Sequence, residues 1–206
     1  MNTAIELLTR ILCDPTPLTP AYAAYLFCTT EDNQPSVFQA AAEVLQQAQA
    51  TRILILESEP MSGYPGDHQA RQRMMHFGIP QDAVDGVPLK RVESINTLVE
   101  AQALIDFARD RSVASLIVVS PPFHQLRAFM TTVTVALKEY PDISIYSRTG
   151  FALPWLETVV HSQGTLTAPR RQLIQEEVAR IATYQAKGDL APFEAVLEYL
   201  DRRKEH

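Results

Sequence analysis

The chain has 206 residues, of which 46% are hydrophobic and 20% charged, and a formal net charge of -6. This length is enough for one domain with a substantial core plus extensions. The negative balance, without any stripe of lysine and arginine, argues against binding to nucleic acid. No segment approaches ~18 consecutive apolar residues, so we expect a soluble, cytoplasmic protein with no membrane partner.

The first half of the chain predicts helices alternating with short, wholly apolar strands. Thr3 and Glu6 form a capping box, which indicates a helix over 3–12. The elements predicted after it are a strand over 22–28, a helix capped by Ser36, a strand over 52–56 and a helix over 66–77. Strands that are apolar on both faces are typical of a parallel sheet covered by helices on two sides.

The second half continues this alternation and then changes character. Its predicted elements are a short strand over 88–92, a helix from Ser94 or Asn96 to Arg109, a strand over 115–119, a helix over 123–140 and a strand over 143–146. After Gly150 the strand signals stop, and two amphipathic helices are predicted over 169–187 and 192–203. Trp155 is interpreted as a packing aromatic.

These elements predict an α/β fold with a Rossmann-like, doubly wound, mainly parallel sheet and a C-terminal helical extension. Residues 1–150 would form the Rossmann-like domain, and residues 151–206 would form the extension packed on it. Ligands of such sheets bind at the carboxyl ends of the strands. The polar residues at these ends are the candidate ligand-binding residues: Ser58, Glu59, Ser94, Asn96, Thr97, Glu100, Ser120 and Arg127.

The segment from Ser94 to Glu100 admits two interpretations. Ser, Asn and Thr commonly cap helices, and a carboxylate in the first turn favours the helix dipole whatever the function. One cap residue suffices, however. Three polar residues within 94–97 are more than a cap requires, so a ligand role remains open beside the structural one.

His124 and Arg127 lie three residues apart at the start of a predicted helix and therefore project from one face. Two cationic groups at a helix N-terminus oppose the helix dipole, and a bound anion would explain them. The alternative is that Arg127 pairs with a glutamate nearby while His124 stays neutral. His124 is also the candidate catalytic residue, as a general acid or base.

Several well-known sites are not predicted. The sequence has no HExxH, CxxC, GxSxG, P-loop or GxGxxG pattern, and this argues against zinc-protease, dithiol, hydrolase and ordinary NAD sites. His68 and His76 lie eight residues apart, too far to share a metal ion unaided, so no metal is expected.

The order of three motifs resembles the YdcF/SanA/ElyC-like family. These motifs are Gly-Ile-Pro at 78–80, Ser-Ile-Asn-Thr at 94–97 followed by Glu100, and His-Gln-Leu-Arg-Ala at 124–128. The resemblance covers about residues 22–148. It implies a Rossmann-like small-molecule site and, for the soluble branch without a membrane anchor, binding of S-adenosylmethionine.

Three positions depart from the family pattern. Glu-Ser-Glu-Pro at 57–60 replaces a glycine-rich turn, Val99 precedes Glu100 where the family places its glutamate, and Ser120-Pro121 replaces a Thr-Ser pair. A site carried over from the family could therefore have a different ligand preference.

Three functional hypotheses follow. The first is binding of S-adenosylmethionine or a nucleotide-like anionic ligand, with Arg127 and His124 at the anion. The second is an enzyme acting on a phosphorylated or glycosylated metabolite. The third is a non-catalytic protein that binds a partner through its C-terminal helices. The sequence leaves the oligomeric state open.

Overall fold

The computed structural model describes residues 3–90, 92–161 and 165–203. The helices are α1 (Thr3–Leu12), α2 (Gln34–Gln46), α3 (Asp67–Met75), α4 (Thr97–Asp110), α5 (Gln125–Glu139), α6 (Gln172–Lys187) and α7 (Phe193–Arg202). The strands are β1 (Ala23–Leu26), β2 (Ile53–Glu57), β3 (Val84–Pro88), β4 (Ser115–Ser120), β5 (Ser144–Thr149), β6 (Thr158–His161) and β7 (Leu166–Pro169).

The central sheet contains five parallel strands in the order β3-β2-β1-β4-β5. This confirms the predicted Rossmann-like, doubly wound fold. All residues of β1 and β4 are buried, and the two strands pair from Ala23 with Leu116 to Leu26 with Val119. Their apolar side chains point alternately to two faces, so both faces need helices to cover them.

Helices flank the central sheet. Helix α2 contacts β1, β4 and β5, and α3 contacts β2. Helices α4 and α5 pack against each other and against β3, β4 and β5, and α1 and α7 pack on α5. None of the helices that the structure describes is both long enough and apolar enough to cross a lipid bilayer.

The chain order reverses between β1 and β4, which makes their carboxyl ends the topological switch point of the sheet. From β1 the chain first adds β2 and β3 on one side of the sheet, and it then adds β4 and β5 on the other side. The loops after β1 and β4 diverge here and leave a crevice. The fold therefore places residues 27–33 and 121–127 on two sides of the expected ligand position.

Two elements of the Rossmann-like region differ from the sequence prediction. Ser36 is not a helix cap: α2 already begins at Gln34, and the Ser36 hydroxyl donates to the Phe151 carbonyl (2.7 Å). The third strand is β3 at Val84–Pro88, ahead of the predicted range 88–92, in which residue 91 lies outside the described part of the chain. Gly86 lies within β3, and a glycine makes a strand hard to recognise from sequence.

The region after Gly150 contains strands, contrary to the prediction. Strands β6 and β7 form an antiparallel hairpin that precedes α6. Each strand has four residues and is largely accessible to solvent, so neither carries the apolar run that revealed β1, β2 and β4. Trp155, interpreted as a packing aromatic, is 37% exposed and does not belong to the buried core.

Arg170 anchors this hairpin to the loop after β1. The side chain is 2% exposed, and its guanidinium donates to Asn33 Oδ1 (3.0 Å) and to the Asp32 carbonyl (3.2 Å). The Thr30 hydroxyl donates to the Val160 carbonyl (2.7 Å). These bonds bring the hairpin, and α6 after it, to the switch point of the sheet.

Candidate functional site

A cavity of about 300 Å³ opens at the carboxyl ends of β1 and β4. Four of the residues predicted from the sequence line it together: Asn96, Glu100, His124 and Arg127. The rest of its lining comes from the loops after β1 and β4, from the segments before α3 and α4, and from the region after Gly150. The cavity thus lies at the carboxyl ends of the strands, where the sequence predicts that a ligand binds.

Glu100 lies in the first turn of α4 and is 3% exposed. Its Oε2 accepts the backbone N–H of Cys28 (2.7 Å) and the hydroxyl of Tyr25 (3.1 Å). Both donors are electrically neutral. Burial raises the pKa of Glu100 to about 7, and these hydrogen bonds, the Cys28 thiol and the charge of Arg127 offset the effect only in part. Glu100 is therefore a carboxyl group that exchanges its proton near neutral pH.

Asn96 is the N-cap of α4, and the side chain of Asn96 accepts from the backbone N–H groups of Leu98 (3.0 Å) and Val99 (3.1 Å). The capping interpretation of this segment is thus correct for Asn96, which also lines the cavity. Thr97 is buried and makes no cap. Its hydroxyl oxygen instead accepts a hydrogen bond from Arg127 Nη1 (2.7 Å).

Arg127 forms a two-point ion pair with Glu177, a residue of α6. Arg127 Nε donates to Oε2 (2.6 Å) and Nη2 donates to Oε1 (3.0 Å). Both side chains are almost fully buried. The sequence alternative in which Arg127 pairs with a glutamate is therefore correct, although the partner lies 50 residues away.

Glu177 receives further donors. Arg180 Nη1 donates to Oε1 (2.9 Å), and His161 Nε2 lies 3.6 Å from the same oxygen. Burial alone disfavours the charged carboxylate. The contacts with His124, His161 and Arg127 outweigh burial and hold the pKa of this carboxyl well below its usual range. Glu177 is therefore ionised at neutral pH.

His124 stands at the N-cap position of α5 and contacts Glu177 through Nδ1 (2.8 Å). Because an ionised carboxylate only accepts hydrogen bonds, Nδ1 carries the proton in this contact. Burial, reinforced by the charge of Arg127 and opposed by Glu177, lowers the pKa of His124 to about 4. At neutral pH His124 is neutral. Its Nε2 is then an acceptor, at 3.5 Å from the hydroxyl oxygen of Thr97.

The remaining predicted residues lie outside the lining of this cavity. Ser58 and Glu59 lie in the loop after β2, where the Ser58 hydroxyl donates to the Glu59 carbonyl (3.0 Å). Ser94 is exposed. Ser120 is fully buried at the end of β4, and its hydroxyl has no hydrogen-bond partner within the part of the chain that the structure describes.

Sequence reasoning missed His161, Glu177 and Arg180, which come from the region interpreted as a helical extension. One signal was present for Glu177. Leu173, Glu177 and Ile181 recur every four residues and are the buried positions of α6. A carboxylate on the apolar stripe of an amphipathic helix needs a buried partner. Nothing in the sequence identifies Arg127 as that partner.

The arrangement supports two kinds of chemistry. A neutral imidazole held by a carboxylate is a base of fixed orientation, and a carboxyl with a pKa of about 7 is a proton donor. The two guanidinium groups in the lining attract anions. Within residues 3–90, 92–161 and 165–203, no three His, Cys, Asp or Glu side chains are grouped to hold a metal ion.

The sequence matches no protein-family model and none of the curated proteins with which it was compared. The resemblance to the YdcF/SanA/ElyC-like proteins therefore remains a prediction from three motifs. Two of these motifs supply side chains to the cavity. Asn96 and Glu100 belong to the motif that begins at residue 94, and His124 and Arg127 belong to the motif at 124–128.

Proposed function

We propose that the protein binds a small anionic metabolite, of the nucleotide or S-adenosylmethionine class, in the cavity at the ends of β1 and β4. The observation that carries this proposal is the presence of two guanidinium groups, those of Arg127 and Arg180, in the lining of one polar cavity. A volume of about 300 Å³ is at the lower end of the range found for small-molecule sites, about 300–1,000 Å³.

Charge and hydrogen-bonding capacity both favour an anion. A guanidinium has five N–H donors, and the bonds of Arg127 to Glu177 and Thr97 use three of them. Glu177 does not line the cavity, but it forms ion pairs with both arginines that do. A phosphate of a nucleotide, or the carboxylate of S-adenosylmethionine, would supply acceptors for the remaining N–H groups of Arg127.

Isothermal titration with orthophosphate, AMP and S-adenosylmethionine tests the proposal. We expect Arg180→Gln to weaken binding of the ligand by about tenfold or more, as loss of one charge-assisted hydrogen bond implies. Arg171→Gln is the matched control, because Arg171 lies on the same segment, is exposed and does not line the cavity. Binding that is equal in both variants would contradict the proposal, as would the absence of binding to all three compounds.

The second candidate function is an enzyme on a phosphorylated or glycosylated metabolite, in which His124 acts as the base and Glu100 donates a proton. The contact of His124 Nδ1 with Glu177 favours it, because a carboxylate in this position fixes the tautomer of a catalytic histidine. His124 is an acceptor above pH about 4 and Glu100 holds its proton below about 7.

Activity plotted against pH should therefore rise near pH 4 and fall near pH 7. A screen of phosphatase, nucleotidase and glycosidase substrates, run over this pH range and repeated with His124→Gln, measures this profile. A flat pH profile, or full activity in the variant, would contradict this function.

We also propose a cytoplasmic location. Both cysteines of the chain, Cys13 and Cys28, are free, as is usual in a reducing compartment.

A further inference from the structure

We propose that Glu100 accepts a hydrogen bond from the same ligand, so that this ligand combines its anionic group with a hydroxyl or amino group. The inference rests on the proposed anion binding and deepens it. It concerns the part of the cavity lining that is formed by Cys28 and Glu100, for which anion binding alone gives no role. Tyr25 does not line the cavity but donates a hydrogen bond to Glu100.

The first observation is an unequal use of the two carboxylate oxygens. Both donors to Glu100, the Cys28 N–H and the Tyr25 hydroxyl, bind Oε2. The Cys28 thiol also interacts with this carboxyl. None of the hydrogen bonds found among the described residues uses Oε1, and the side chain lines the cavity. Oε1 can therefore accept a hydrogen bond from a ligand donor.

The second observation is that the carboxylate is held in place. The Cys28 N–H belongs to the backbone that leaves β1, and Tyr25 is a residue of β1 itself. Glu100 belongs to the capped first turn of α4. The acceptor is thus fixed between a strand of the central sheet and a helix start. An acceptor that is oriented before the ligand arrives selects among ligands more strongly than a mobile one.

The third observation is the pKa of Glu100, which burial raises to about 7. The donors on Oε2 do not compensate the loss of water around this carboxyl. A ligand hydroxyl or ammonium group on Oε1 would supply the missing interaction. The residue is therefore suited to a donor from the ligand, and unsuited to direct contact with the ligand's anionic group.

Two ligand types share this chemistry. One is a phosphorylated polyol, including the ribose phosphate part of a nucleotide, in which hydroxyl groups are the donors. The other is an amino acid such as the methionine end of S-adenosylmethionine, in which the ammonium group is the donor and the carboxylate is the anion. Matched compounds that differ only in the donor distinguish the two.

The experiment compares affinities within two pairs by calorimetric titration: glycerol 1-phosphate with propyl phosphate, and methionine with 4-(methylsulfanyl)butanoate. We expect the wild-type protein to prefer the donor-bearing member of one pair by about tenfold, the factor that one hydrogen bond of ordinary strength gives. The pair that shows this preference identifies the donor as hydroxyl or ammonium.

Glu100→Gln provides the decisive variant. The amide oxygen can accept from Tyr25 and Cys28, which leaves an NH₂ donor in place of the acceptor Oε1. We expect the preference to fall to about onefold while propyl phosphate binds as in the wild type. A merely structural role for Glu100 would lower the affinity for both members of a pair alike. Glu93→Gln, in an exposed residue outside the cavity, is the control.

The outcomes separate the two proposals. Equal affinities within both pairs in the wild type, or a preference that survives Glu100→Gln, would overturn the role of Glu100 and leave anion binding intact. Failure of the protein to bind any of the four compounds, together with orthophosphate, AMP and S-adenosylmethionine, would overturn anion binding and this inference with it.

Discussion

Two regions of the candidate site each contain a buried glutamate, and the pKa values of these two glutamates are shifted in opposite directions. The Glu100 wall consists of Tyr25, Cys28 and Glu100, and the Glu177 wall consists of His124, Arg127, Glu177 and Arg180. The two glutamates are equally buried, at 3% and 2% exposed. Yet the pKa of Glu100 is raised to about 7, whereas that of Glu177 lies well below its usual range.

The main difference is the charge of the donors. A hydroxyl, a backbone N–H and a thiol interact with Glu100, while two guanidinium groups and an imidazole interact with Glu177. Neutral donors compensate the desolvation of a carboxylate only in part, whereas nearby cations reverse its effect on the pKa. The carboxylate of the Glu177 wall is thus fully compensated by its cationic partners, whereas the carboxyl of the Glu100 wall retains capacity for a further partner.

The largest expected effect comes from breaking the Glu177 wall. Glu177→Ala removes the carboxylate that Arg127 pairs with and leaves that guanidinium buried without a counter-charge. We expect a loss of about 3–5 kcal/mol in the free energy of unfolding, the usual result of breaking a buried pair. Chemical denaturation at pH 7.5 measures it.

Glu176→Ala is the control for this experiment, because Glu176 is the exposed neighbour of Glu177 on α6. We expect it to change the free energy of unfolding by less than about 0.5 kcal/mol. If Glu177→Ala were as mild as its control, the Glu177 wall would not be the ionic cluster described above.

The second effect concerns the Glu100 wall and depends on pH. The pKa of Glu100 is raised from 4.5 to about 7 in the folded state, so folding favours the protonated form. The resulting stabilisation is complete below pH about 4.5 and is lost as the pH rises through about 7. Tyr25, Cys28, Tyr64 and Arg127 are the titratable or charged groups near this carboxyl.

We expect Glu100→Gln to remove this pH dependence. Relative to the variant, the wild-type protein should lose up to about 3 kcal/mol between pH 4.5 and pH 8. The quantity to measure is the difference in the free energy of unfolding between the two proteins at each pH, because this difference cancels the contribution of His124. The stabilisation from His124 has the opposite pH dependence: it is present above pH about 6.5 and is lost as the pH falls towards about 4. Parallel curves for the two proteins would show that the pKa of Glu100 is not raised by folding.

The two walls also differ in how far the sequence predicted them. Asn96, Glu100, His124 and Arg127 follow strands or begin helices within a few residues, so the strand-end rule placed them correctly. Their side chains meet because parallel strands share one edge of the sheet. Local patterns and one topological rule were sufficient for this part of the site.

The Glu177 wall depends on contacts between distant parts of the chain. Glu177 and Arg127 are separated by 50 residues, and the hairpin β6–β7 that brings α6 to the site lacks strong apolar runs. The buried recurrence of Leu173, Glu177 and Ile181 indicates that Glu177 needs a partner but does not name one. The prediction of a purely helical extension failed for the same reason: tertiary contacts, and not local preference, hold this hairpin.

The smallest expected effect comes from the cap that holds the Glu100 wall in place. Asn96→Ala removes the acceptor for the backbone N–H groups of Leu98 and Val99 at the start of α4. We expect a loss of about 1 kcal/mol in the free energy of unfolding. Asn96→Ser keeps a neutral cap acceptor at the same position and should retain most of the stability. Because Asn96 also lines the cavity, calorimetric titration of both variants with AMP separates its two roles. A cap that only supports Glu100 gives weaker binding in Asn96→Ala and near wild-type binding in Asn96→Ser, whereas direct contact between the Asn96 amide and an anion predicts weaker binding in both.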